Sequence, residues 1–275
     1  MKFSIVTVSF NQAEFLERAI LSVLNQDYQD IEYIVVDPGS TDGSRGIIER
    51  YRDRIDRIIY EPDKGAAEGL NNGMAGATGE ILGFLNSDDI LLPGGIGRIA
   101  SAFRASPGID LVTGHVYIID SENRRLRKSY TDQFHLRAFA YDACLICQQS
   151  TFFRADLFRK VGGFNEKNRI AWDAELFLNL LTQSEKYVVL DDFLSAFRLH
   201  SEAITGGARL RALAVDFERA KFHRIIGRPW RSWDVIIRWV YILRKYLLEP
   251  RSLMQRLRYG SIYDLIEKLP KSVTP

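Results

Sequence analysis

Cysteine is scarce in this chain of 275 residues, where only Cys144 and Cys147 occur, spaced as C-x-x-C. One such pair cannot supply the four ligands of a structural zinc site, and the sequence has no second pair. The pair indicates reduced, partly buried thiols, as in a cytoplasmic protein, and a redox role is the alternative.

Long apolar runs are also lacking. No uncharged apolar stretch approaches the roughly 18–20 residues that span a bilayer. Met1 and Lys2 lead straight into an apolar run, which is not the pattern of a secretory signal. Internal repeats and low-complexity segments are lacking too. These absences lead us to expect a cytoplasmic protein.

A strong overall charge is the third missing feature, since the formal net charge is +2. The hydrophobic fraction of 46% and the charged fraction of 26% are those of a soluble globular protein. The charge is unevenly placed, however. Residues 224–258 hold nine Lys/Arg against two acids, a local +7 that leaves −5 for the rest of the chain. This asymmetry marks the C-terminal tail as a separate functional surface.

Apolar runs alternate with helical patterns over the first 93 residues. We predict strands at 3–8, 31–36, 55–60 and 80–85, and helices from an N-cap at Asn11, with Glu14 as its capping-box partner, to Leu24, at 47–51 and at 68–77. This alternation favours an α/β fold whose mostly parallel sheet carries helices on both faces. Beyond Pro93 we predict helices at 96–103 and 173–181, strands at 111–119, 187–190 and 193–199, a loop or hairpin at 124–137, a strand-to-helix passage at 151–161 and a basic helical tail after residue 207.

Polar residues follow three of the predicted strands. Asn11, Asp37 and Asp88 each come at the carboxyl end of a strand, which is where open α/β sheets bind ligands. Asp88 and Asp89, with an amide and a hydroxyl just before them, suit a hard cation such as Mg²⁺ or Mn²⁺ held together with substrate phosphates. The pattern indicates an enzyme acting on a nucleotide diphosphate, although paired acids also occur in ordinary turns.

These motifs resemble those of the family 2 glycosyltransferases of the GT-A fold. The likeness extends over roughly residues 1–205, and the motifs that carry it come in the family's order at 4–11, 35–44 and 79–89. The resemblance implies a GT-A catalytic domain at 1–205, with a nucleotide-binding half at 1–93 and an acceptor half at 94–205. A helical basic extension at 206–275 completes the expected organisation.

The resemblance also implies which residues bind the donor. The nucleotide-sugar-binding set is Thr7, Phe10, Asn11, Asp37, Lys64, Asn86, Ser87, Asp88 and Arg198. A carboxylate such as Asp37 can accept a hydrogen bond from an imide N–H of uracil or guanine, or it can simply form the turn before Pro38. Lys64 either reaches the diphosphate or is an exposed loop lysine. Asp42 reads as a loop or helix-capping residue.

The family's D-x-D metal motif aligns with Asn86-Ser87-Asp88, so an amide replaces the first carboxylate. The resemblance implies Mn²⁺ or Mg²⁺ as cofactor, with Asp88 as the main ligand and His200 completing the site. Asp89 either assists the metal or orients Asp88. A lone histidine after a strand is otherwise more often structural, and the loss of one charge at Asn86 weakens the expected dependence on metal.

The family's x-E-D motif aligns with Ala171-Trp172-Asp173, where Trp replaces the Glu. The resemblance implies Asp173 as catalytic base, and a helix N-cap is the alternative. Glu175 is the rival base, already inside the predicted helix. The segment 147–150 resembles the one near the donor sugar and the acceptor.

The implied function is inverting transfer of a sugar from a nucleoside-diphosphate sugar, expected to be a UDP-sugar. The acceptor would be a saccharide or a lipid-linked saccharide in cell-surface polysaccharide synthesis. A nucleotidyltransferase is one alternative, but residues 9–12 do not form its basic, glycine-rich phosphate loop. A non-catalytic nucleotide-sugar-binding protein is another, motivated by Asn86 and Trp172.

The basic tail mixes tryptophans with arginines and long aliphatic residues over 229–260. Arg238 and Arg244 interrupt any membrane span, so this pattern indicates an interfacial helix lying on an anionic membrane, at the inner face of the cell membrane. Packing against the catalytic domain or against the second subunit of a homodimer are the alternatives. Nucleic acid is not an expected partner.

Overall fold

The computed structural model describes residues 1–200 and 208–267 of the chain. Its strands are β1 (Phe3–Val8), β2 (Ile31–Val36), β3 (Arg57–Ile59), β4 (Ile81–Asn86), β5 (Ile90–Leu91), β6 (Leu111–Ile119), β7 (Arg125–Ser129), β8 (Phe152–Arg154) and β9 (Tyr187–Arg198). Its helices are α1 (Ala13–Leu24), α2 (Ser44–Arg50), α3 (Ala66–Ala75), α4 (Gly95–Ala105), α5 (Leu136–Ala140), α6 (Ala155–Val161), α7 (Trp172–Gln183), α8 (Ala208–Ile226), α9 (Asp234–Leu248), α10 (Pro250–Tyr259) and α11 (Ile262–Glu267).

The strands form one sheet in the order β3-β2-β1-β4-β8-β6-β9-β5, and β7 pairs with β6. Strand β1 runs parallel to β2 and β4 and is in register with both, so that Val8 lies opposite Val36 and Asn86. β3 continues this parallel half, whereas β8 pairs antiparallel with β4. The predicted mixed α/β class is confirmed, and the carboxyl ends of three neighbouring strands meet at one edge.

The parallel strands lie in the core because their side chains are apolar on both faces of the sheet. The parallel strands β1, β2 and β4 are almost wholly buried, and α1 shares their core through Leu16, Ala19, Ile20 and Val23. Helix α3 approaches closely because Gly73 has no side chain: a Cβ there would lie 2.4 Å from Val6 Cγ1. The spacing of apolar residues at three and four positions thus predicted α1 correctly.

The chain divides into two compact units. The first comprises residues 1–116 and 147–197, and the second comprises 117–146 and 198–275. This division is discontinuous in sequence and differs from the predicted boundary, which lies at 205–206, outside the described residues. That residues 1–205 act as the catalytic domain stays a prediction.

The second unit has a small core of its own. Its buried residues are Ala140, Tyr141 and Phe222, and Ile225, Ile226, Ile237 and Tyr241 pack around them. The predicted hairpin at 124–137 is partly confirmed, because β7 pairs with β6 and α5 follows. The predicted basic helical tail is confirmed for the described part, as helices α8 to α11, and residues 268–275 lie outside it.

The predicted capping of α1 by Asn11 and Glu14 is wrong. The helix begins at Ala13, and its N-cap residue Gln12 makes no side-chain capping bond. Asn11 has a left-handed backbone (φ 51°), and its Oδ1 accepts a hydrogen bond from Thr41 N–H at 2.9 Å. The cap comes from another loop, since Asp42 Oδ2 accepts from Ala13 N–H at 2.8 Å. Sequence spacing cannot reveal such a long-range cap.

Asp42 also serves the next helix. Its Oδ1 accepts hydrogen bonds from the backbone N–H and the hydroxyl of Ser44, at 3.0 and 2.7 Å, where α2 begins. The expectation that Asp42 is a helix cap is therefore confirmed for two helices at once. Other boundaries differ less: the two strands predicted at 187–199 are the single strand β9, and the two-residue β5 was not predicted.

Replacing Asp42 by Ala should lower the free energy of unfolding by about 1–2 kcal/mol, since N–H groups at the start of two helices lose their acceptor. Burial opposes ionisation of Asp42, but the hydrogen bonds from Ala13 and Ser44 outweigh it and lower its pKa. The stabilisation should therefore be complete above the unfolded-state pKa of about 4 and fade as the pH falls below it. Urea denaturation at neutral and acid pH measures both effects.

The matched control is Asp53→Ala, which removes an exposed aspartate from the short 3₁₀ turn Arg52–Arg54. It should change the free energy of unfolding by less than about 0.5 kcal/mol. Equal losses in the two variants would contradict the capping role of Asp42.

Candidate active site

The edge where β1, β2 and β4 end, which we call the carboxyl edge, is where the loops that carry Asn11, Asp37 and Asp88 leave the sheet. Ser9 N–H donates to Val36 O and Asp37 N–H donates to Ile59 O, both at 2.9 Å, so the loops leave the strands side by side. Asn11 N–H donates to Ser40 Oγ at 2.8 Å and ties the β1–α1 loop to the β2–α2 loop. The polar residues that follow these strands in the sequence are therefore close together in space.

Asp37 is fully buried at this edge, and only one of its two carboxylate oxygens has a hydrogen-bond donor in the described part of the chain. Its Oδ1 accepts hydrogen bonds from Gly39 N–H at 3.1 Å, Ser40 N–H at 2.8 Å and Arg45 Nε at 3.2 Å. Its Oδ2 is buried without a hydrogen-bond donor among the described residues. A buried acceptor left open is rare and indicates a missing donor, such as a ligand N–H. Asp37 can thus form the turn through Oδ1 and accept a hydrogen bond from a ligand through Oδ2.

Arg45 was not singled out from the sequence. Its Nε donates to the Asp37 carboxylate, and its Nη2 donates to Asp37 O at 3.3 Å. Its guanidinium lies 4.6 Å from the Tyr60 ring centroid. Its position near the start of α2, directly after the 35–44 motif, is the signal that could have found it. Arg45 fixes the Asp37 carboxylate in one orientation.

Thr7 and Phe10, which are both predicted to contact the nucleotide-sugar, lie in different surroundings. The Thr7 side chain is fully buried, and its Oγ1 accepts a hydrogen bond from Tyr33 OH at 3.1 Å. The Phe10 ring is 59% exposed on the following loop. Phe10 therefore has a surface free for a ligand to contact, whereas the Thr7 hydroxyl belongs to the interior of the sheet. Their predicted contacts to the nucleotide stay predictions.

The two adjacent acids after β4 face different environments. Asp89 is fully buried, and its Oδ2 accepts a hydrogen bond from Gln149 Nε2 at 2.8 Å. Asp88 is half-buried at the carboxyl edge, whereas Ser87 before it is buried. Asp89 thus contributes to the position of the 148–150 turn, and Asp88 is the carboxylate of the pair that a ligand can reach.

The short 3₁₀ turn Gln148–Ser150 packs against the end of β4. Gln148 Nε2 donates to Phe84 O at 3.0 Å, and Asn86 Nδ2 donates to Gln148 Oε1 at the long distance of 3.5 Å. Ser150 Oγ is 2.6 Å from Ser195 Oγ and donates to His115 O at 2.9 Å. The structure therefore brings the predicted segment 147–150 to Asn86, and the two glutamines act as structural braces there.

Helix α7, which carries Asp173, packs against β4 through its aromatic side chains. The Trp172 ring lies 5.6 Å from the Phe84 ring and 5.5 Å from the Phe164 ring, between centroids. Phe177, one turn later, stacks on Phe84 at 6.3 Å. These contacts hold the start of α7 against β4, two residues before Asn86. Packing against Phe84 explains why a tryptophan stands where the family pattern has a glutamate.

Asp173 is the second residue of α7, and Ala171 is the N-cap, so the interpretation of Asp173 as a plain N-cap is wrong. Its Oδ1 accepts a hydrogen bond from Ala174 N–H at 2.8 Å. Burial raises the pKa of Asp173, and its backbone hydrogen bonds offset only part of this effect. A carboxylate with raised basicity is suited to accept a proton.

Glu175, the rival base, is already bound on both oxygens. Asn165 Nδ2 donates to Oε1 at 3.0 Å, and Asn168 Nδ2 donates to Oε2 at 2.7 Å. Asn168 Oδ1 in turn accepts from Ala171 N–H at 3.0 Å, just before α7. Glu175 therefore braces the loop that precedes α7, which favours Asp173 as the base.

Basic side chains lie near the start of α3. Lys64 is exposed there, and its backbone N–H donates to Glu68 Oε2 at 2.7 Å. A Cβ on Gly65 would lie 2.7 Å from Arg169 Nη1, so this arginine covers the glycine. Arg169 was missed from the sequence, where its place four residues before Asp173 was the available signal. That Lys64 contacts a diphosphate stays a prediction.

The remaining predicted residues belong to the second unit. Arg198 is fully buried and donates from Nη1 to Asp120 O at 2.8 Å and to Ser121 O at 3.3 Å. His200 is buried as well. Arg198 thus binds main-chain carbonyls, and its predicted contact to a diphosphate stays a prediction, as does metal ligation by His200.

A resident metal site is not visible in the described part of the chain. No group of three or more His, Cys, Asp or Glu residues among 1–200 and 208–267 is placed to hold an ion. The half-buried carboxylate of Asp88 does fit a Mg²⁺ or Mn²⁺ ion that is bound by one carboxylate together with substrate phosphates. The donor set therefore suits an ion that arrives with the substrate.

Comparison with known proteins decides the family. The sequence model described as Glycosyl transferase family 2 matches residues 4–162, more than half of the chain. The chain belongs to glycosyltransferase family 2. This match includes the carboxyl edge from Thr7 to Asp89 and ends before α7.

Relatives in the family match a little under half of the chain. An uncharacterised glycosyltransferase of Nostoc sp. is 38% identical over 134 residues, which are 48% of this chain and 41% of that protein. The GalNAc(5)-diNAcBac-PP-undecaprenol beta-1,3-glucosyltransferase of Campylobacter jejuni is 35% identical over 121 residues, 42% of this chain and 38% of that protein. The matched part thus spans less than half the length of either relative.

Solved structures of glycosyltransferases share the fold. TarS 1-349 of S. aureus in complex with UDP-GlcNAc has a TM-score of 0.65 at 16% identity, covering 98% of this chain and 76% of that one. The mannosyltransferase PcManGT from Pyrobaculum calidifontis, in complex with GDP-Man and Mn²⁺, has a TM-score of 0.63 at 18% identity, covering 96% and 77%. The predicted GT-A fold is confirmed.

The adjacent acids after β4 should respond differently to mutation. Asp89→Ala should lower the free energy of unfolding by about 2–4 kcal/mol, because it leaves a cavity and a buried Gln149 donor without its acceptor. Asp88→Ala is the matched control and should cost less than about 1 kcal/mol, since Asp88 is only half-buried. Urea denaturation of both variants measures the difference, and a larger loss in Asp88→Ala would contradict these roles.

Proposed function

We propose that this chain is an inverting glycosyltransferase that moves a sugar from a nucleoside-diphosphate sugar to a saccharide acceptor. Membership in family 2 supports the reaction class. The proposal is supported by the position of Asp37 and Asp88 after the neighbouring strands β2 and β4, and by the packing of Trp172, the residue before Asp173, against Phe84 of β4. Asp37 can accept a hydrogen bond from the nucleobase, and Asp88 can bind a metal ion beside the diphosphate. Asp173 is the candidate catalytic base for the hydroxyl of the acceptor saccharide.

The nucleoside is proposed to bind at Asp37. Its open, buried Oδ2 can accept a hydrogen bond from the imide N–H that uracil and guanine both carry. Arg45 holds the carboxylate in place, and the exposed Phe10 ring offers a surface against which a base can stack. We favour UDP as the carrier, as in the TarS complex with UDP-GlcNAc, and GDP, as in the PcManGT complex with GDP-Man, is the alternative that binding assays distinguish.

The diphosphate is proposed to lie beside Asp88. A divalent ion held there would neutralise the charge that develops on the leaving diphosphate. Asn86 supplies a neutral amide next to Asp88, where a second carboxylate would have bound the ion more strongly. Lys64 and Arg169 are cations of the same unit that can balance phosphate charge.

Asp173 is proposed as the general base. The acceptor hydroxyl oxygen attacks C1 of the sugar from the face opposite the diphosphate, and its proton passes to the Asp173 carboxylate. The bond between C1 and the phosphate oxygen breaks, and its electron pair leaves with the nucleoside diphosphate. Attack from the opposite face inverts the configuration at C1. Because burial raises the pKa of Asp173, its carboxylate is a stronger base than an exposed aspartate.

The acceptor is proposed to be a saccharide or a lipid-linked saccharide of a cell-surface polysaccharide. The Campylobacter jejuni relative is named for transfer to an undecaprenol-linked glycan, and this motivates the lipid-linked case. Sugar hydroxyls need amide and carboxylate partners, which the site offers at Asn86 and Asp173.

Asp173→Asn should lower kcat by at least about a hundredfold while leaving the affinity for UDP unchanged, because the amide keeps the shape of the side chain but cannot take the proton. Release of UDP from radiolabelled UDP-sugars with Mn²⁺ measures turnover, and calorimetry measures UDP binding. Asp88→Ala should show the converse, a loss of Mn²⁺-dependent UDP binding.

Glu175→Gln is the matched control for Asp173→Asn. Glu175 is two residues away and braces a loop, so its amide variant should keep turnover within about tenfold of the wild type. Near-normal turnover in Asp173→Asn would contradict the base assignment. Tight UDP-sugar binding by the wild type without turnover on any saccharide acceptor would instead favour a non-catalytic nucleotide-sugar-binding protein.

The pH dependence of turnover should report the raised pKa of Asp173. Its carboxylate must be ionised to accept the proton, so kcat should fall as the pH drops through the raised pKa. The acid limb of the profile should therefore lie above the ordinary pKa of an aspartate, about 3.9. Steady-state assays across the acid range measure it. An acid limb that stays unchanged in Asp173→Glu would assign the limb to another group.

A further inference from the structure

Helix α9 of the second unit exposes a continuous apolar surface. Its outward side chains follow one another at helical spacing, and they are Ile236 (68% exposed), Trp239 (64%), Val240 (59%), Leu243 (61%) and Leu247 (73%). We call these five residues the apolar stripe. A surface helix normally turns its apolar side inward and its polar side to solvent. A large exposed apolar patch indicates a surface that contacts a partner.

Buried polar contacts, together with the inward packing of Ile237 and Tyr241, fix which side of α9 faces outward. Asp234 is fully buried at the start of α9 and accepts hydrogen bonds from Arg228 Nη1 and Nη2, both at 2.7 Å, and from Tyr141 OH at 2.8 Å. Near the other end, Lys245 Nζ lies 2.8 Å from Asp132 Oδ2. Turning the apolar stripe inward would break these ion pairs. These contacts therefore keep the apolar stripe exposed.

Helices α9 and α10 also expose basic residues. Arg244 is exposed on α9, and Arg256 and Arg258 are exposed on α10, beside Met254 (66% exposed) and Leu257 (78%). None of these three arginines has a carboxylate within ion-pair distance in the described part of the chain. Tryptophan and leucine on one face with unpaired arginines beside them are typical of helices that lie in a membrane interface.

We propose that the apolar stripe and its arginines dock the second unit on an anionic lipid bilayer, with α9 lying in the plane of the interface. No described helix is long and apolar enough to cross a membrane. A second copy is a poorer fit: a two-fold dimer places the same patch on both sides, and residues 224–258 would then bring +7 against +7. Anionic headgroups complement this charge.

This docking goes beyond sugar transfer and does not depend on it. If the proposed transfer to a lipid-linked acceptor also holds, membrane docking keeps the enzyme at the surface where that acceptor lies. The packing alternative for the tail is not supported for the apolar stripe, because its side chains are exposed.

Vesicle flotation of the full chain, without any sugar nucleotide, tests the docking. The wild type should float with phosphatidylcholine vesicles that contain about 30 mol% phosphatidylglycerol, and much less with pure phosphatidylcholine. The double variant Leu243→Glu, Leu247→Glu should bind at least about tenfold more weakly. Arg244→Gln and Arg256→Gln should each lower binding to the anionic vesicles by about fivefold, which is the contribution of one basic residue near such a surface.

Leu213→Glu is the matched control, because Leu213 is an apolar side chain 45% exposed on α8, outside the apolar stripe. It should bind vesicles within about twofold of the wild type. Failure of the wild type to float, or an equal loss in the control, would overturn the proposal. So would sedimentation showing a wild-type dimer that the double variant converts to monomers, since a second copy would then cover the stripe. Because no donor is present, these outcomes are independent of the proposed transfer.

Discussion

The in-register parallel pairing of β1 with β2 and β4 is the constraint on which the candidate site depends. Each pairing runs over six residues and ends at the same level, with Val8 between Val36 and Asn86. The residues that leave these strands are therefore neighbours in space. A slip of one residue would turn every side chain of a strand to the other face and would separate Asp37 from Asp88.

A second principle is that acids close together in the sequence differ in burial and in their surroundings. Asp89 is buried against Gln149, whereas Asp88 reaches the carboxyl edge. Glu175 is held by two asparagines, whereas Asp173 accepts a hydrogen bond from Ala174 N–H and has a pKa that burial raises. The same residue type thus differs in its bonding and its basicity according to its surroundings.

The departures from the family pattern have structural counterparts. Trp172 replaces a glutamate and packs against Phe84 and Phe164, so it fixes the start of α7 instead of contributing a charge. Asn86 replaces an aspartate and lies beside Gln148 of the neighbouring turn. In the tail, α9 departs from ordinary amphipathic design because its buried side carries Asp234 and Lys245 in ion pairs. These positions are where local patterns fail and where function is expected.

The sequence by itself determined the α/β class, the bounds of β1, β2 and β6, and the order of the motifs that reach the carboxyl edge, since these depend on local apolar periodicity and on strand ends. Only the tertiary structure decided that Asp42 caps α1 in place of Asn11, that Asp89 and Glu175 are braces, and that Arg45 holds Asp37. It also decided that α9 exposes its apolar stripe, while Ile237 and Tyr241 of the same helix pack inward. Each of these depends on partners distant in the chain, or on which face of a helix is buried, and neither is recorded in local spacing.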